Sequence, residues 1–365
     1  MRIGIITMHK VLNCGSALQA YALQQALCEM GYESEIIDYR YEELSRPSLK
    51  ARVIAFFRDL LFGFPTWRMK RKFKAFYRHN MVLSKQSYDR KSIVNNPPPY
   101  DLYITGSDQV WNPRFIGDDI NFLLAFTAPE QRKISYASSI AASAISKEWK
   151  ELYAKYLSRY KAISVRERSG VEIIRELTGR EAAVCCDPTL LLARERWDAL
   201  SARSGCKVPE KYILVYALSY MFDPYPEIYG IVDKVQKTLG MNVVFLQGRA
   251  KDVLRPGAKL IKSAGPEDFA FLFKNADFVI TTSFHGAAFA LLYDKPLIGV
   301  VDARSEADSR IRSLLTSAQA TSSLYDYRDR VEMDAEGLLG LKGKREALDG
   351  LIQESRRYLQ ENLPE

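Results

Sequence analysis

At 365 residues, with 47% hydrophobic and 26% charged content, the chain is too long for one ordinary core and too apolar to be disordered, so two globular domains are expected. Five cysteines without metal-type spacing, Cys185 and Cys186 being adjacent, argue against a disulfide framework and read as buried thiols of a reducing compartment. The net charge of +8 sits in one place: thirteen Lys and Arg lie between Arg46 and Lys91 against Asp59 and Asp89, leaving the remainder slightly acidic.

The chain opens with a short apolar strand, "RIGIIT", whose run is too brief for a signal peptide before Lys10. A polar turn, "HKVLNCGS", leads into the helix "ALQAYALQQALCEMG", with Ala20, Leu23, Leu27 and Met30 on one face and Gly31 as the stop. "ESEIIDY" is the next strand, and this βαβ opening predicts a parallel sheet. Residues 45–96 interrupt the pattern with two basic amphipathic helices, "LKARVIAFFRDLLFGF" and "WRMKRKFKAFYRHN", divided near Gly63–Pro65. Alternation resumes with "YDLYITGSDQVWNP", "KISYASSIAAS", the helix "WKELYAKYLSRY", "KAISVRERSG", the helix "VEIIRELTG" and "AAVCCDPTLLL". After a boundary near 190–210 it restarts: strands "KYILVYAL", "MNVVFLQG", "DFVITTS" and "KPLIGVV" alternate with helices "YPEIYGIVDKVQKTLG", "PEDFAFLFKNA" and "HGAAFALLYD". The expected fold is α/β, with two Rossmann-like parallel-sheet domains facing a cleft. They span 1–195, carrying the insert 45–96, and 205–325, with a helical segment over 326–365. The longest apolar stretch, around 269–293, is broken by Lys274, Asp277 and His285, so no membrane span is expected.

In open parallel sheets, ligands sit at the carboxyl ends of strands beside helix N-termini. Five strand-end turns here are rich in small polar residues: Asn13-Cys14-Gly15-Ser16, Gly106-Ser107-Asp108-Gln109, Ser138-Ser139, Arg166-Glu167-Arg168-Ser169 and Ser283-Phe284-His285-Gly286. Together they suit a polar, anionic ligand. The first turn lacks GxGxxG, and neither GxxxxGK[ST] nor GxSxG occurs, which disfavours a dinucleotide, a P-loop enzyme and an α/β hydrolase. Three scattered histidines and unclustered carboxylates give no metal site. Each candidate has two readings. His285 is a structural histidine or an acid–base group, with Gly286 opening the backbone to a ligand. Arg166 pairs with a neighbour such as Glu167, or captures a carboxylate or phosphate. Asp108 shapes an Asx turn or binds a sugar, and Trp111 is a core side chain or a sugar platform. Asn13 and Ser16 cap a helix or face a ligand, while Asp187-Pro188 reads as a turn.

These residues carry a resemblance. In order, "NCGSALQAYAL", "DLYITGSDQVWNP", "ISYASSI", "ISVRERSG", "CDPTLLL" and "ADFVITTSFHGAAFALLYDKPLI" resemble the polysaccharide pyruvyl transferase family over roughly 1–300, outside the basic segment. The resemblance implies a glycosyltransferase-B-like fold and transfer of the enolpyruvyl-derived group of phosphoenolpyruvate to two hydroxyls of one sugar, with release of phosphate. It implies a donor site holding His285 as the catalytic group, with Arg166, Ser283 and Gly286. It places Asn13, Gly15, Ser16, Ser107, Asp108 and Ser138 on the acceptor side. No cofactor is implied beyond phosphoenolpyruvate as donor. The expected acceptor is a sugar or lipid-linked oligosaccharide of bacterial surface-polysaccharide assembly, and the expected location is cytoplasmic, peripheral at the inner membrane face. A nucleotide-sugar glycosyltransferase and a non-catalytic sugar- or anion-binding protein are the alternatives.

The basic segment interleaves Phe56, Phe57, Phe62, Phe64, Trp67, Phe73, Phe76 and Tyr77 with its cations. It packs as a solvated helical insert or touches an anionic membrane. Nucleic acid is not expected, because no motif supports it.

Overall fold

The computed structural model describes residues 1–41, 65–142, 144–304 and 309–364. The described residues fall into two compact units, one from Met1–Gly63, Lys74–Leu192 and Leu351–Glu365, the other from Phe64–Phe73 and Ala193–Gly350.

In the first unit, β1 (Arg2–Ile6), β2 (Glu33–Tyr39), β3 (Leu83–Tyr88), β4 (Leu102–Thr105) and β5 (Lys133–Ser135) form a parallel sheet ordered β3-β2-β1-β4-β5. A parallel pair, β6 (Ser164–Val165) and β7 (Ala183–Val184), extends it through bridges Ile134–Ala162 and Ser138–Val165. Helix α1 (Cys14–Glu29) is buried on nearly every side, not on one face as its periodicity predicts. Its small Ala17, Ala20 and Ala22 let the chain pack closely. Its polar Gln24 is satisfied by the carbonyls of Ser34 and Val82 (3.0 and 2.8 Å) and by the Val82 amide (2.9 Å), which join α1 to β2 and the approach to β3. Helix α2 (Pro65–Asn80), whose residues to Phe73 belong to the second unit and whose remainder belongs to the first, bears out the second basic helix; the first lies outside the described residues. The stretch that follows is not all insert, because β3 belongs to the central sheet. Helices α3 (Lys147–Leu157) and α4 (Arg168–Thr178) follow β5 and β6. Trp111 is fully buried and donates its indole N–H to the Phe122 carbonyl at 3.1 Å, so it is a core side chain and no sugar platform.

The second unit runs α5 (Arg194–Ser201), β8 (Tyr212–Tyr216), α6 (Ile228–Leu239), β9 (Asn242–Leu246), β10 (Ala258–Ile261), α7 (Pro266–Asn275), β11 (Phe278–Thr281), α8 (Phe284–Leu292), β12 (Leu297–Val301), α9 (Ser309–Ser317) and β13 (Leu324–Asp326). Its parallel sheet is ordered β10-β9-β8-β11-β12-β13. Two edge strands, β10 and β13, join the four that sequence predicts. The last helix, α10 (Arg345–Asn362), is not part of a segment apart. Residues to Gly350 belong to the second unit and those from Leu351 to the first. There Tyr358 donates to the Ser135 carbonyl (2.9 Å), Ser355 accepts from the Cys186 amide (2.8 Å) and the Pro364 carbonyl accepts from Tyr32 (2.7 Å). No described helix is long and apolar enough to cross a membrane.

Candidate functional site

In both sheets the strand order reverses beside the first strand, between β1 and β4 and between β8 and β11. Such a switch point leaves a crevice at the carboxyl ends of the strands. The candidate residues gather at these two places, one in each unit.

In the first unit, Asn13 caps α1, its side-chain oxygen accepting from the amides of Gly15 (2.9 Å) and Ser16 (3.3 Å). The cap fixes the start of the helix, and Ser16 then donates a hydrogen bond to Asp108. Thr7 donates to the Ser107 carbonyl (2.9 Å) and accepts from Gln19 (2.9 Å), tying the end of β1 to the end of β4. Asp108 adopts φ 74°, a left-handed conformation that aspartate tolerates better than most residues. Its other oxygen accepts from the Gln109 amide at 3.0 Å. Ser138 is fully buried and its hydroxyl is used on the carbonyls of Thr105 and Gly106, both at 3.1 Å.

Arg166 joins this group. One guanidinium nitrogen lies 2.7 Å from Asp187 and 3.3 Å from the Ser107 hydroxyl, and another is 3.7 Å from Asp108. Ser107 donates to the same Asp187 oxygen at 2.9 Å, and the second oxygen accepts from the Thr189 amide and hydroxyl at 3.0 and 2.8 Å. The neighbour expected to pair with Arg166 does not. Glu167, at the N-cap of α4, is engaged elsewhere. One of its oxygens accepts from the Ser139 hydroxyl (3.1 Å) and the amides of Ile140 and Ala141 (2.9 Å each). Sequence reasoning missed Asp187 as a site residue. An Asx turn before Pro188-Thr189 occupies only one carboxylate oxygen, and that left-over oxygen was the available signal. The cluster holds one buried guanidinium beside two buried carboxylates, Asp108 and Asp187. Such a balance suits hydroxyl donors, which a carboxylate orients by accepting their protons.

In the second unit, Thr281 donates to the Tyr216 carbonyl (2.8 Å) and accepts from the Ser283 amide (3.0 Å). Thr282 donates to the Leu218 carbonyl (2.9 Å) and accepts from its amide (2.7 Å). These bonds lock the end of β11 to the end of β8. Ser283 caps α8 through the Gly286 amide at 3.3 Å. His285 therefore stands in the first turn of the helix, nearly buried, with its ring edge-on to Phe284 at 5.4 Å. A Cβ on residue 286 would meet the Thr281 hydroxyl at 2.3 Å. Glycine is thus required there by helix–strand packing, a different reason from the ligand approach that sequence predicts.

The structure brings Asn13, Gly15, Ser16, Ser107, Asp108, Ser138 and Arg166 together in the first unit, and Ser283, His285 and Gly286 together in the second. Arg166, expected with His285 at the donor site, shares its unit with the acceptor-side residues. Among the described residues no group of His, Cys, Asp and Glu is arranged to hold a metal.

Comparison with known proteins completes the picture. The family model described as polysaccharide pyruvyl transferase matches residues 13–302. No curated protein sequence matches significantly. Among solved structures, the chain resembles UDP-GlcNAc 2-epimerase from Methanocaldococcus jannaschii in complex with UDP-GlcNAc and UDP. That pair shows 14% identity and a TM-score of 0.54, covering 98% of this chain and 94% of that one. UDP-GlcNAc 2-epimerase from Neisseria meningitidis bound to UDP-GlcNAc gives 11% identity, a TM-score of 0.50 and 99% coverage of each chain. The fold is glycosyltransferase-B-like, built from two Rossmann-like units.

Proposed function

The chain belongs to the polysaccharide pyruvyl transferase family, and we propose that it moves the enolpyruvyl-derived group of phosphoenolpyruvate onto two hydroxyls of one sugar. The acceptor is a sugar or lipid-linked oligosaccharide of bacterial surface-polysaccharide assembly. The observation that carries this reading is the placement of the family's "SFHG" histidine in the first turn of a helix at a strand switch point. The positive end of a helix dipole favours an anion there.

The chemistry balances without a redox partner. A proton adds to C3 of the donor, making C2 electrophilic. One sugar hydroxyl oxygen bonds to C2, the C2–O bond to phosphate breaks, and the second hydroxyl closes the ketal. Of the two hydroxyl protons lost, one is equivalent to that gained at C3 and the other leaves with phosphate. His285 serves as the acid toward C3 or phosphate, or as the base toward a hydroxyl. Asp108, Ser16 and Ser107 orient the acceptor hydroxyls. Arg166 binds the donor, with Ser283 and Gly286 shaping the helix start.

A second role for Arg166 is favoured by its bond to Asp187 at 2.7 Å: it organises the acceptor-side turns. Direct measurement of phosphoenolpyruvate affinity in Arg166→Lys separates the two. Donor capture predicts a weakened affinity, and a purely organising role predicts an unchanged one.

The test of the reaction is phosphate release from phosphoenolpyruvate with galactoside, glucoside and N-acetylmannosamine acceptors. Acceptor-dependent release that falls about a hundredfold or more in His285→Ala is expected. Release that persists at wild-type rate in that variant removes His285 from the chemistry.

A further inference from the structure

Helix α2 buries Phe73 and Phe76 and turns Trp67, Arg68, Lys70, Arg71, Lys74 and Arg78 outward. No Asp or Glu occurs between Pro65 and Asn80. Lys72, on the inner side, is paired with Asp268 at 2.6 Å. The outward cations have no comparable carboxylate partner among the described residues, and Arg71 instead stacks over Trp67 at 5.8 Å. Trp67 is 57% exposed, whereas Trp111 and Trp197 are fully buried. A solvated helical face normally alternates its charges or leaves its large apolar groups inside. This one holds cations and a tryptophan.

Trp67 to Arg71 belong to the second unit, and that unit carries a second outlier. After β9 the chain makes a short 3-10 helix, Ala250–Leu254, on which Val253 is 52% exposed and Leu254 82% exposed. Lys251 lies beside them and stacks over Tyr229 at 5.1 Å. The loop leading to this turn touches α2, since the Gln247 amide lies 3.5 Å from the Met69 sulfur. A cationic face with one tryptophan and an apolar turn with a lysine thus sit on neighbouring segments of one unit.

We infer that the outer face of α2 over Trp67–Arg71 and the turn at Val253–Leu254, both in the second unit, form a docking surface for an anionic lipid bilayer. The unpaired cations supply attraction to acidic headgroups, each contributing about fivefold to affinity near the surface. Trp67 settles at the headgroup level, as tryptophan does at membrane interfaces. Val253 and Leu254 enter the acyl boundary. Lipid fits better than nucleic acid, because a phosphodiester polymer gives no reason for two bare aliphatic side chains at the tip.

The test is flotation of the full chain with phosphatidylcholine vesicles, with and without phosphatidylglycerol, at low and physiological salt, beside a duplex oligonucleotide. Binding to anionic vesicles that weakens with salt is expected, with a blue shift of Trp67 emission that disappears in Trp67→Phe. The variant Arg68→Gln/Lys70→Gln/Arg71→Gln should bind at least tenfold more weakly, and Val253→Ser/Leu254→Ser several-fold more weakly. These side chains are exposed, so unchanged melting curves serve as the folding control. Equal behaviour with neutral vesicles, no vesicle binding, or undiminished binding in either multiple variant overturns the inference. Stronger binding to the duplex, lost in the charge variant and kept in the serine variant, overturns it in favour of nucleic acid. Transfer to a soluble acceptor does not depend on this surface, so its failure leaves the proposed reaction standing.

Discussion

Asp187 has both side-chain oxygens engaged by four donors, and its main ionic partner, Arg166, has a side chain only 1% exposed. Removing one half of a buried pair strands the other, so Asp187→Ala should lower the unfolding free energy by about 3 kcal/mol, read as a shifted urea midpoint. The exposed Arg175–Glu181 pair should show no measurable change when broken. Gly286→Ala should cost about 1–3 kcal/mol through its clash with Thr281. Combined with Thr281→Ala it should cost less than the two single changes together, a non-additivity that thermal melts can measure. Two residues carry pH signatures of different kinds. Burial would raise the Asp38 carboxyl, but hydrogen bonds from His9 and Lys10 outweigh it and hold it at about 2. Its folded value lies below its unfolded one, so its stabilisation is present above about pH 4 and is lost as pH falls through about 2. The stability difference between wild type and Asp38→Asn should close over that window. Lys133 is the opposite case. Burial, helped by Arg159, pulls its ammonium down to about 8. The unfolded chain binds the extra proton above that value, so wild type should gain stability over Lys133→Met as pH rises from about 8 toward the ordinary lysine range. At this scale sequence named Arg166, Asp108 and His285, and Ser16 and Ser107 beside them, but not their pairings, nor Asp187 as the partner of Arg166. Partners separated by 21 to 92 residues meet only through the sheet.

At the level of elements, what was legible depended on how much of each was buried. Strands such as β8, and β1 after Arg2, are buried apolar runs and announce themselves. By contrast β3, "LSKQSY", is a polar edge strand with two buried residues, and it follows a strongly basic helix, so its composition points away from a sheet. The residues that make it a strand are in β2, whose Ile36, Asp38 and Tyr39 it pairs with. Two-residue strands such as β6 and β7 carry too little pattern to be recognised alone. Capping, being local, is legible: Asn13 before Gly15-Ser16 reads as a helix start and is one. Asn13→Ala should cost about 1 kcal/mol, and Asn13→Asp should restore most of it, because aspartate accepts the same two amides. Chemical denaturation of the three proteins checks this.

The two units have separate cores, and both follow the strand order of doubly wound folds. Alternation of strand and helix made that architecture readable across the chain. It did not show that the first unit is assembled from distant pieces. A chain ending at Gly350 should lose the bonds of Ser355, Tyr358 and Pro364 to Cys186, Ser135 and Tyr32. The expected result is a destabilised first unit with the second largely intact, seen as a low-temperature transition that the full chain lacks. The same arrangement has a consequence for biosynthesis. Domains generally fold as they emerge from the ribosome, the N-terminal one first. Here the N-terminal unit lacks its closing helix until translation has passed residue 351, by which time the whole of the second unit has been made. The nascent first unit must therefore wait, incomplete, through the translation of its neighbour, and chaperones have that interval in which to engage it.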